Sequence, residues 1–410
     1  MLKINRRENI RKERGAILMK KLMIMGAGIY QVPLIKAARE MGIHTIAVSI
    51  PGKYPGFSYA DEVLHINTTD SEAILRAARE KHIDGICTAG TDVAVMTIGK
   101  VNDALSLSGI SFEAALLATD KVLMKQCYEK AGVRTARYRK VYFNEDVNEK
   151  IKELEYPLIF KIVDSSGSRG IMRVDRPDQI QEAIANAQAY TRKDYYIVEE
   201  FIIGREFGAQ AFVMDGKVQF ILPHGDYIFL GSTGVPAGHF APYELPEESV
   251  KDCFDTCEKA IHAMKLDNCA VNCDFIMRDG KTYVLELGGR SGATCLAELV
   301  SIYYGYDYYK KIIQVALGER PDFPKDHAVP NASKLLMSDR DGEIACLANR
   351  NPRNDPDIVQ VMFDYTVGDQ VKKFHVGPNR IGHVITKGRT LGEATGALDR
   401  ALKNIEIDVI

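Results

Sequence analysis

DFIMRDGKTYVLELGGR, residues 274–290, is the stretch that decides the fold of this chain. Two apolar runs flank the dipeptide Asp279-Gly280, and apolar runs joined through Asp-Gly predict a β-hairpin. Each run carries one acid where a strand interior normally has none, Asp274 in the first and Glu286 in the second. The hairpin therefore holds two carboxylates, and the register of its strands decides whether they meet.

Two turn lengths are compatible with this pattern. A two-residue loop would pair Asp274 with Leu285 and turn Glu286 to the other face of the hairpin. A three-residue loop, with the glycine of the turn as a bulge, would pair Met277 with Lys281 and put both acids on one face. We predict the three-residue loop.

Two carboxylates on one face repel each other unless a cation lies between them. Carboxylates are the usual protein ligands of Mg²⁺, which they link to substrate phosphates. In the predicted register Asn272 lies opposite Glu286, and Arg290 adds a bidentate donor for a phosphate or a carboxylate. The alternative is that Asp274 and Glu286 are solvated edge residues without a ligand.

Composition narrows the class of protein. The 410 residues suffice for two or three domains, and the charge balance of 53 − 55 = −2 gives no general attraction to nucleic acid or anionic membranes. No uninterrupted apolar run is long enough to cross a bilayer. None of the eight cysteines forms a CxxC pair. We therefore expect reduced thiols in a cytoplasmic protein that binds neither nucleic acid nor membrane.

The N-terminal part has a parallel α/β pattern. Residues 1–19 are basic and polar, and we expect a flexible tail there. An apolar strand at residues 22–25 precedes Gly26-Ala27-Gly28, and further strands and helices alternate. Gln31 occupies the position of the third glycine of a dinucleotide fingerprint. This predicts a degenerate α/β domain that helps to hold a substrate and does not bind nicotinamide.

A second unit begins near residue 113. Thr119 or Asp120 is the expected N-cap of a helix. Residues 157–163 form an apolar strand interrupted by Lys161, and an inward lysine on such a strand needs an anion, which nucleotide phosphates would supply. The following loop, residues 164–170, is rich in glycine and serine and can wrap phosphates through its amides, although it is not a Walker A motif.

Further patterns complete the chain. A strand ends at Glu199-Glu200, and Asp215-Gly216 predicts another hairpin. Residues 231–239, which end at His239, are expected to form a long flexible loop. Beyond Pro321, short strands, among them 359–362, 371–376 and 380–386, precede a helix over 391–405. They predict a small α+β domain.

These pieces, in this order, resemble the ATP-grasp superfamily, and the likeness extends from about residue 20 to the end. It is greatest to the carboxylate–amine ligases related to the carbamoyl-phosphate synthetase large chain, biotin carboxylase and the purine-pathway members. The resemblance implies a mixed α/β and α+β fold. It consists of a Rossmann-like pre-ATP-grasp domain (20–112), an ATP-grasp domain (113–320) with a lid subdomain at about 136–200, and a C-terminal α+β domain (321–410).

The resemblance also implies the site. ATP would be held by two lysines, the glycine-rich lid, the hinge and a ribose-binding acid: Lys121, Lys161, Ser165, Ser166, Gly167, Ser168, Arg169, Gly170, Glu199, Glu200, Phe201, Ile202 and Glu206. Mg²⁺, or Mn²⁺ in its place, would be bound by Asp274 and Glu286. Arg290 would hold the acyl phosphate or its carboxylate precursor. The candidate substrate contacts are His224, His239 and Ser291.

Two positions depart from the family pattern. Ile162 follows Lys161 where proline is usual. Gly288 stands two residues after Glu286, where the family commonly has an asparagine that ligates a second Mg²⁺ or orients phosphate. Asn272 could substitute for that asparagine if it faces Glu286.

The implied reaction has two steps. A carboxylate attacks the γ-phosphate of MgATP to give an acyl phosphate and ADP, and an amine then displaces phosphate to form an amide. The partners would be small-molecule carboxylates and amines, in a chain that could form a homodimer. The alternatives are a purine-pathway enzyme acting on a ribonucleotide, carbamoyl-phosphate-synthetase-like chemistry, or a nucleotide-binding regulatory protein with weakened catalysis.

Overall fold

The computed structural model describes residues 19–163, 170–230 and 234–410, and its N-terminal part is a parallel sheet flanked by helices. The elements of this part are β1 (Lys21–Met25), α1 (Val32–Glu40), β2 (His44–Ser49), β3 (Glu62–His65), α2 (Ser71–Lys81), β4 (Gly85–Cys87), α3 (Val95–Leu105) and α4 (Phe112–Thr119). The strand order is β3-β2-β1-β4. Gln31 fills the first strand-to-helix turn, because its amide accepts from Gly28 N (2.9 Å) and donates to Ala89 O (2.5 Å). This side chain takes the space that a dinucleotide fingerprint keeps open.

A smaller antiparallel sheet with its own core follows helix α5 (Lys121–Ala131). The elements of this part are β5 (Tyr138–Tyr142), α6 (Val147–Ile151), β6 (Leu158–Lys161), β7 (Ile171–Val174), α7 (Ile180–Tyr190) and β8 (Tyr195–Glu200). The strand order in the sheet is β5-β8-β6-β7. Asp120 is the N-cap of α5, since its carboxylate accepts from the backbone N–H groups of Val122 and Leu123. Residues 164–169, which include the predicted lid contacts 165–169, lie outside the described residues.

An eight-stranded antiparallel sheet forms the centre of the molecule. The segment that supplies its first five strands, together with the helices between and after them, has the elements β9 (Arg205–Met214), β10 (Lys217–Leu230), β11 (Gly234–Ala241), α8 (Glu247–Ala263), β12 (Cys269–Arg278), β13 (Lys281–Gly288), α9 (Leu296–Tyr304) and α10 (Tyr308–Ala316). The predicted hairpin at Asp215-Gly216 is confirmed, with Met214 paired to Lys217. One large core joins this sheet to the N-terminal domain.

The C-terminal segment extends the same sheet. Its elements are β14 (Asn331–Leu336), β15 (Gly342–Asn349), β16 (Ile358–Phe363), β17 (Gln370–Val371), β18 (Gly382–Lys387), α11 (Leu391–Lys403) and β19 (Ile405–Val409). The central strand order is β13-β12-β9-β10-β11-β14-β18-β16, and β17-β15-β19 form a separate sheet. The predicted strand over 371–376 is wrong beyond Val371, because a 3₁₀ turn at Gly377–Asn379 and irregular backbone follow it. Among the described residues, no helix is both long and apolar enough to span a membrane.

The register of the β12–β13 hairpin corrects the prediction. Arg278 pairs with Lys281, so the loop is the two-residue Asp279-Gly280 turn, in which both residues have positive φ. A bulge further along the hairpin then shifts the pairing by one residue, and Asp274 lies directly opposite Glu286. The acids share a face as expected, but the bulge, not a three-residue loop, puts them there.

The predicted flexible loop over residues 231–239 is also wrong for its second part. Strand β11 begins at Gly234, and it pairs with β10 on one side and β14 on the other. Residues 231–233 lie outside the described residues. As a result His239 lies on a strand, directly opposite Asp226.

Candidate active site

A cleft of about 1010 Å³ runs between the N-terminal domain and one face of the central sheet. The chemically active side chains that line it come from five different parts of the chain: Asp92, Lys121, His224, Asp226, His239, Asn272, Asp274, Glu286 and Arg290. Since a cleft with a few convergent polar groups is where a small molecule binds, this is the candidate active site.

The acid pair lies on the floor of the cleft. Asp274 reaches cleft solvent, but protein surrounds it on its remaining sides; this burial, followed by repulsion from Glu286, raises the pKa of Asp274 to about 7. Helix α5 begins at Lys121, whose Nζ lies 3.2 Å from Glu286 Oε2. A divalent cation between Asp274 and Glu286 would remove the repulsion that disfavours the charge of Asp274.

A chain of amides holds the first acid in position. Gly292 N donates to Gln210 Oε1 (2.8 Å), and Gln210 Nε2 donates to Asn272 Oδ1 (2.7 Å). Asn272 Nδ2 in turn lies 3.4 Å from Asp274 Oδ1. The prediction that Asn272 lies opposite Glu286 is wrong, because its cross-strand partner is Gly288. Asn272 therefore orients Asp274.

A buried charged triad lies behind the acid pair. Glu199 Oε2 is 3.1 Å from the Nζ of Lys161 and 3.1 Å from the Nζ of Lys125. Burial raises the pKa of Glu199, but the two lysines outweigh burial and lower it to about 2. The expected anion beside Lys161 is thus a protein carboxylate, although two lysines on one carboxylate leave a net positive charge that suits phosphate. The sequence pattern does not identify Lys125, whose only signal is that it follows Lys121 by about one helical turn.

The predicted hinge residues lie where β8 ends. The Glu200 carboxylate accepts from Arg137 Nη1 (2.9 Å) and from the backbone N–H of Glu155 (3.0 Å). Phe201 N donates to Pro157 O (2.8 Å), and Ile202 is buried. The side chain of Glu200 is thus committed to the protein, and a nucleotide contact would have to use its backbone.

Glu206 and Gly170 are two further residues that the sequence analysis predicts to contact ATP. Burial, followed by repulsion from Asp226, raises the pKa of Glu206, while Lys161 lowers it, so the three charges are close. Gly170 has φ +64°, and a Cβ there would lie 2.8 Å from Ile162 Cδ1. The end of the lid loop therefore requires glycine, and the side chain that replaces the family's proline packs against it.

Arg290 is held by a residue that the sequence analysis did not identify. Its Nε and Nη2 donate to the two carboxylate oxygens of Asp92 at 2.8 and 2.7 Å. A Cβ on residue 288 would lie 2.9 Å from Asp92 Oδ1, so Gly288 leaves room for this carboxylate from the N-terminal domain. No pattern in the sequence connects residues 92 and 290, which are distant in the chain.

The three candidate substrate contacts divide into two groups. His224 and His239 line the cleft, and the Nδ1 of each is hydrogen-bonded to Asp226 Oδ1. Ser291 is fully buried, and its hydroxyl has no hydrogen-bond partner within the described part of the chain. The structure therefore brings the two histidines, but not the Ser291 side chain, to the acid pair.

Comparisons with known proteins agree with this architecture. Residues 118–294 match the ATP-grasp domain family, and residues 334–409 match the L-amino acid ligase C-terminal domain 2. The chain is 24% identical over 278 residues to alanine–anticapsin ligase of Bacillus subtilis, which covers 62% of this chain and 58% of that protein. The chain thus spans little more than half the length of this curated relative.

Two solved structures share the fold over nearly the whole chain. Phosphoribosylglycinamide synthetase from Anaerococcus prevotii is 34% identical, with a TM-score of 0.83 over 95% of this chain and 100% of that one. The L-amino acid ligase from Bacillus licheniformis is 18% identical, with a TM-score of 0.78 over 95% and 99% of the two chains. The predicted fold class is thereby confirmed, and the chain belongs to the ATP-grasp family of ATP-dependent ligases.

Proposed function

We propose that this protein is an ATP- and Mg²⁺-dependent ligase that joins the carboxylate of one amino acid to the amine of another through an acyl phosphate. The observation that carries the proposal is the pair Asp274 and Glu286, directly opposite each other on the cleft floor with Lys121 at 3.2 Å from the second acid. The match of residues 334–409 to an L-amino acid ligase domain supports amino acids as the substrate class.

In this proposal each residue acts by position and charge. A bound Mg²⁺ would supply neutralisation of phosphate charge, with Asp274 and Glu286 as its ligands. Lys121 and Lys161 attract the triphosphate, and Lys161 is kept in place by Glu199. Asp92 accepts from Nε and Nη2 of Arg290 and so orients the guanidinium, whose remaining N–H groups would hold a carboxylate in line with the γ-phosphate. Both Asp274 and Glu286 are hard oxygen donors, which favours Mg²⁺, with Mn²⁺ as a substitute.

A second candidate is a purine-pathway activity on a ribonucleotide. It is favoured by the 34% identity to a protein described as a phosphoribosylglycinamide synthetase over its whole length. In that case the amine substrate would carry a ribose phosphate, while the acid pair and the lysines would have the same roles. A third possibility, a regulatory protein that binds ATP without turnover, would have the same cleft.

ADP release separates these functions. The enzyme would be assayed with MgATP and either the twenty common L-amino acids, phosphoribosylamine with glycine, or aminoimidazole ribonucleotide with bicarbonate. ADP release with amino acids alone supports the proposal, and release only with a ribonucleotide supports the second candidate. ATP binding without turnover in any mixture would favour the regulatory protein. Glu286→Gln is the control, and it should release no ADP above background.

Two accompanying properties are also proposed. We expect a homodimer, which sedimentation of the full chain would test. We further propose a cytoplasmic location, which the eight free cysteines of the described structure support because disulfides are rare in that compartment. A thermal-shift screen in MgATP with small carboxylates would identify the substrate, since a ligand of the folded state raises its stability by mass action.

A further inference from the structure

His224 and His239 share one carboxylate. The Nδ1 of His224 lies 3.0 Å from Asp226 Oδ1, and the Nδ1 of His239 lies 2.6 Å from the same oxygen. A single carboxylate oxygen faces both ring nitrogens at hydrogen-bond distance, and an aspartate is ionised at neutral pH. An ionised carboxylate has no proton to donate, so both Nδ1 atoms carry a hydrogen. In the neutral rings, each Nε2 is therefore the acceptor.

The position of His224 follows from the sheet. Glu286 pairs with Asp274, Asp274 pairs with Gly208, and Gly208 pairs with His224, so these four residues form one row across four strands on the same face. Adjacent strands are ~4.8 Å apart, which puts two strand intervals between the backbones of Asp274 and His224. The residue between them is a glycine.

The glycine lets the imidazole lean toward the acids. A Cβ on Gly208 would lie 2.3 Å from Cε1 and 2.5 Å from Nε2 of His224, so the ring occupies the space above the glycine. The edge that carries Nε2 is thus turned toward the row that contains Asp274. The charged and titratable groups around this ring are Asp226 on its own strand, His239 on β11 and Asp274 on β12.

The same nitrogen lacks a partner. His224 is 2% exposed, and its Nε2 has no hydrogen-bond partner among the described residues. A buried polar atom is normally satisfied by protein or by ordered water, and in a cleft a bound ligand can take the place of that water. The missing partner here is a hydrogen-bond donor, because the opposite ring nitrogen already donates to Asp226. A substrate amine is such a donor.

We propose that His224 Nε2 accepts a hydrogen bond from the attacking amine and then takes its proton as the amide forms. The amine nitrogen attacks the carbonyl carbon of the acyl phosphate, the new C–N bond forms, and the C–O bond to phosphate breaks. Phosphate leaves with the electron pair of that bond, and one N–H proton passes to His224 Nε2 and then to solvent. Asp226 and His239 are positioning residues that fix the ring and its tautomer. This inference rests on the proposed function.

Hydroxylamine separates the two half-reactions. It is a small nucleophile, uncharged near neutral pH, that reacts with an acyl phosphate to give a hydroxamate and phosphate. It does not need the binding site for the amine substrate. His224→Asn keeps a donor near the place of Nδ1 but removes Nε2. With MgATP and the twenty common L-amino acids, we expect this variant to lose about 10²-fold or more of its amide formation, the scale of general-base catalysis. Its hydroxamate formation should stay within about threefold of the wild-type rate.

His383→Gln is the matched control, because His383 is also buried and also has an unpartnered ring nitrogen, but it does not line the cleft. In this control variant, the rates of amide formation and of hydroxamate formation should both equal those of the wild type. An unchanged ratio of amide to hydroxamate in His224→Asn would overturn the inference, as would a parallel loss of both products. Wild-type enzyme without ADP release or hydroxamate would instead overturn the proposed function.

Two further measurements keep the inference testable. If His224→Asn does not fold, Asp226→Asn tests the same arrangement, because the carboxylate that keeps the proton of His224 on Nδ1 is then absent. This variant should lower amide formation more than hydroxamate formation. An equal loss of both would count against the proposal. The His224, Asp226 and His239 group could alternatively bind a metal ion. One equivalent of a transition metal in the purified enzyme, retained with activity and lost with chelation, would therefore also overturn the inference.

Discussion

Replacing Glu199 by glutamine should destabilise the protein far more than the same change at its neighbour Glu200. Glu199 is 2% exposed and lies 3.1 Å from both Lys125 and Lys161, and Lys125 is itself 1% exposed. Glutamine has nearly the same shape but no charge, so the variant leaves two lysine ammonium groups, one of them fully buried, without their counter-ion. Breaking a buried ion pair from one side is strongly destabilising.

The magnitude follows from the pKa of the carboxyl. Its pKa falls from the ordinary 4.5 to about 2, and a difference of about 2.5 units corresponds to about 3 kcal/mol of interaction with the ionised form. Because the pKa in the folded state is depressed, this contribution is present above pH ~4.5 and is lost as the pH falls toward 2. The expected loss in Glu199→Gln is therefore about 3 kcal/mol at pH 7 and roughly half of that at pH 3.

Urea unfolding followed by circular dichroism measures this difference, since the chain has no tryptophan to report by fluorescence. Glu200→Gln is the matched control, because Glu200 pairs with an arginine that is 53% exposed, and exposed pairs contribute about 0–1 kcal/mol. A loss in Glu199→Gln below 1 kcal/mol at pH 7, or one that does not shrink with acid, would refute the reasoning.

Three more predictions follow from the contacts. Arg290→Ala should abolish amide formation but leave the ATP Kd within about threefold. Arg290 pairs with Asp92 and does not hold either of the lysines proposed to bind the triphosphate, so its loss should leave ATP binding intact. A normal turnover rate would contradict its role. Gly288→Ala should lower turnover about tenfold or more, because its Cβ would lie 2.9 Å from Asp92 Oδ1, whereas Gly392→Ala, with its nearest contact at 4.0 Å, should not. Burial, with Arg380 as the second cause, lowers the pKa of His383 to about 3, so the unfolded chain takes up this proton first and stability falls as the pH drops below ~6.5. Compared with the wild type in urea titrations, His383→Gln should remove about 2 kcal/mol of the loss between pH 6.5 and 4.5, and identical pH profiles would exclude this residue as the cause.

Local patterns were sufficient for the elements that carry the site. A helix cap at Thr119 or Asp120 and hairpins at Asp215-Gly216 and Asp279-Gly280 depend on residues within a few positions of one another; the structure has Asp120 as the cap and has both hairpins, the second with a shorter turn than predicted. The order of the acid-bearing hairpin, the lysine strand and the hinge also identified the family, because these motifs keep their sequence order whatever the loops between them do.

Contacts between distant segments could not be read in the same way. The pairing of Arg290 with Asp92 and of Lys125 with Glu199 joins residues that no local pattern relates. Glycine and proline around His239 predict a loop, yet strands on both sides supply hydrogen bonds that keep this segment extended. Tertiary pairing here overrides the local preference.

The sequence by itself determined that Asp274 and Glu286 lie on two strands of one hairpin, since apolar runs around Asp-Gly have that outcome. It did not determine their register, because a bulge leaves no mark in the pattern and one residue of slip turns a side chain to the other face. Only the tertiary structure decided it: β12 pairs with β9 on its other edge, where Asp274 lies opposite Gly208, and β13 bulges so that Glu286 faces the same cleft.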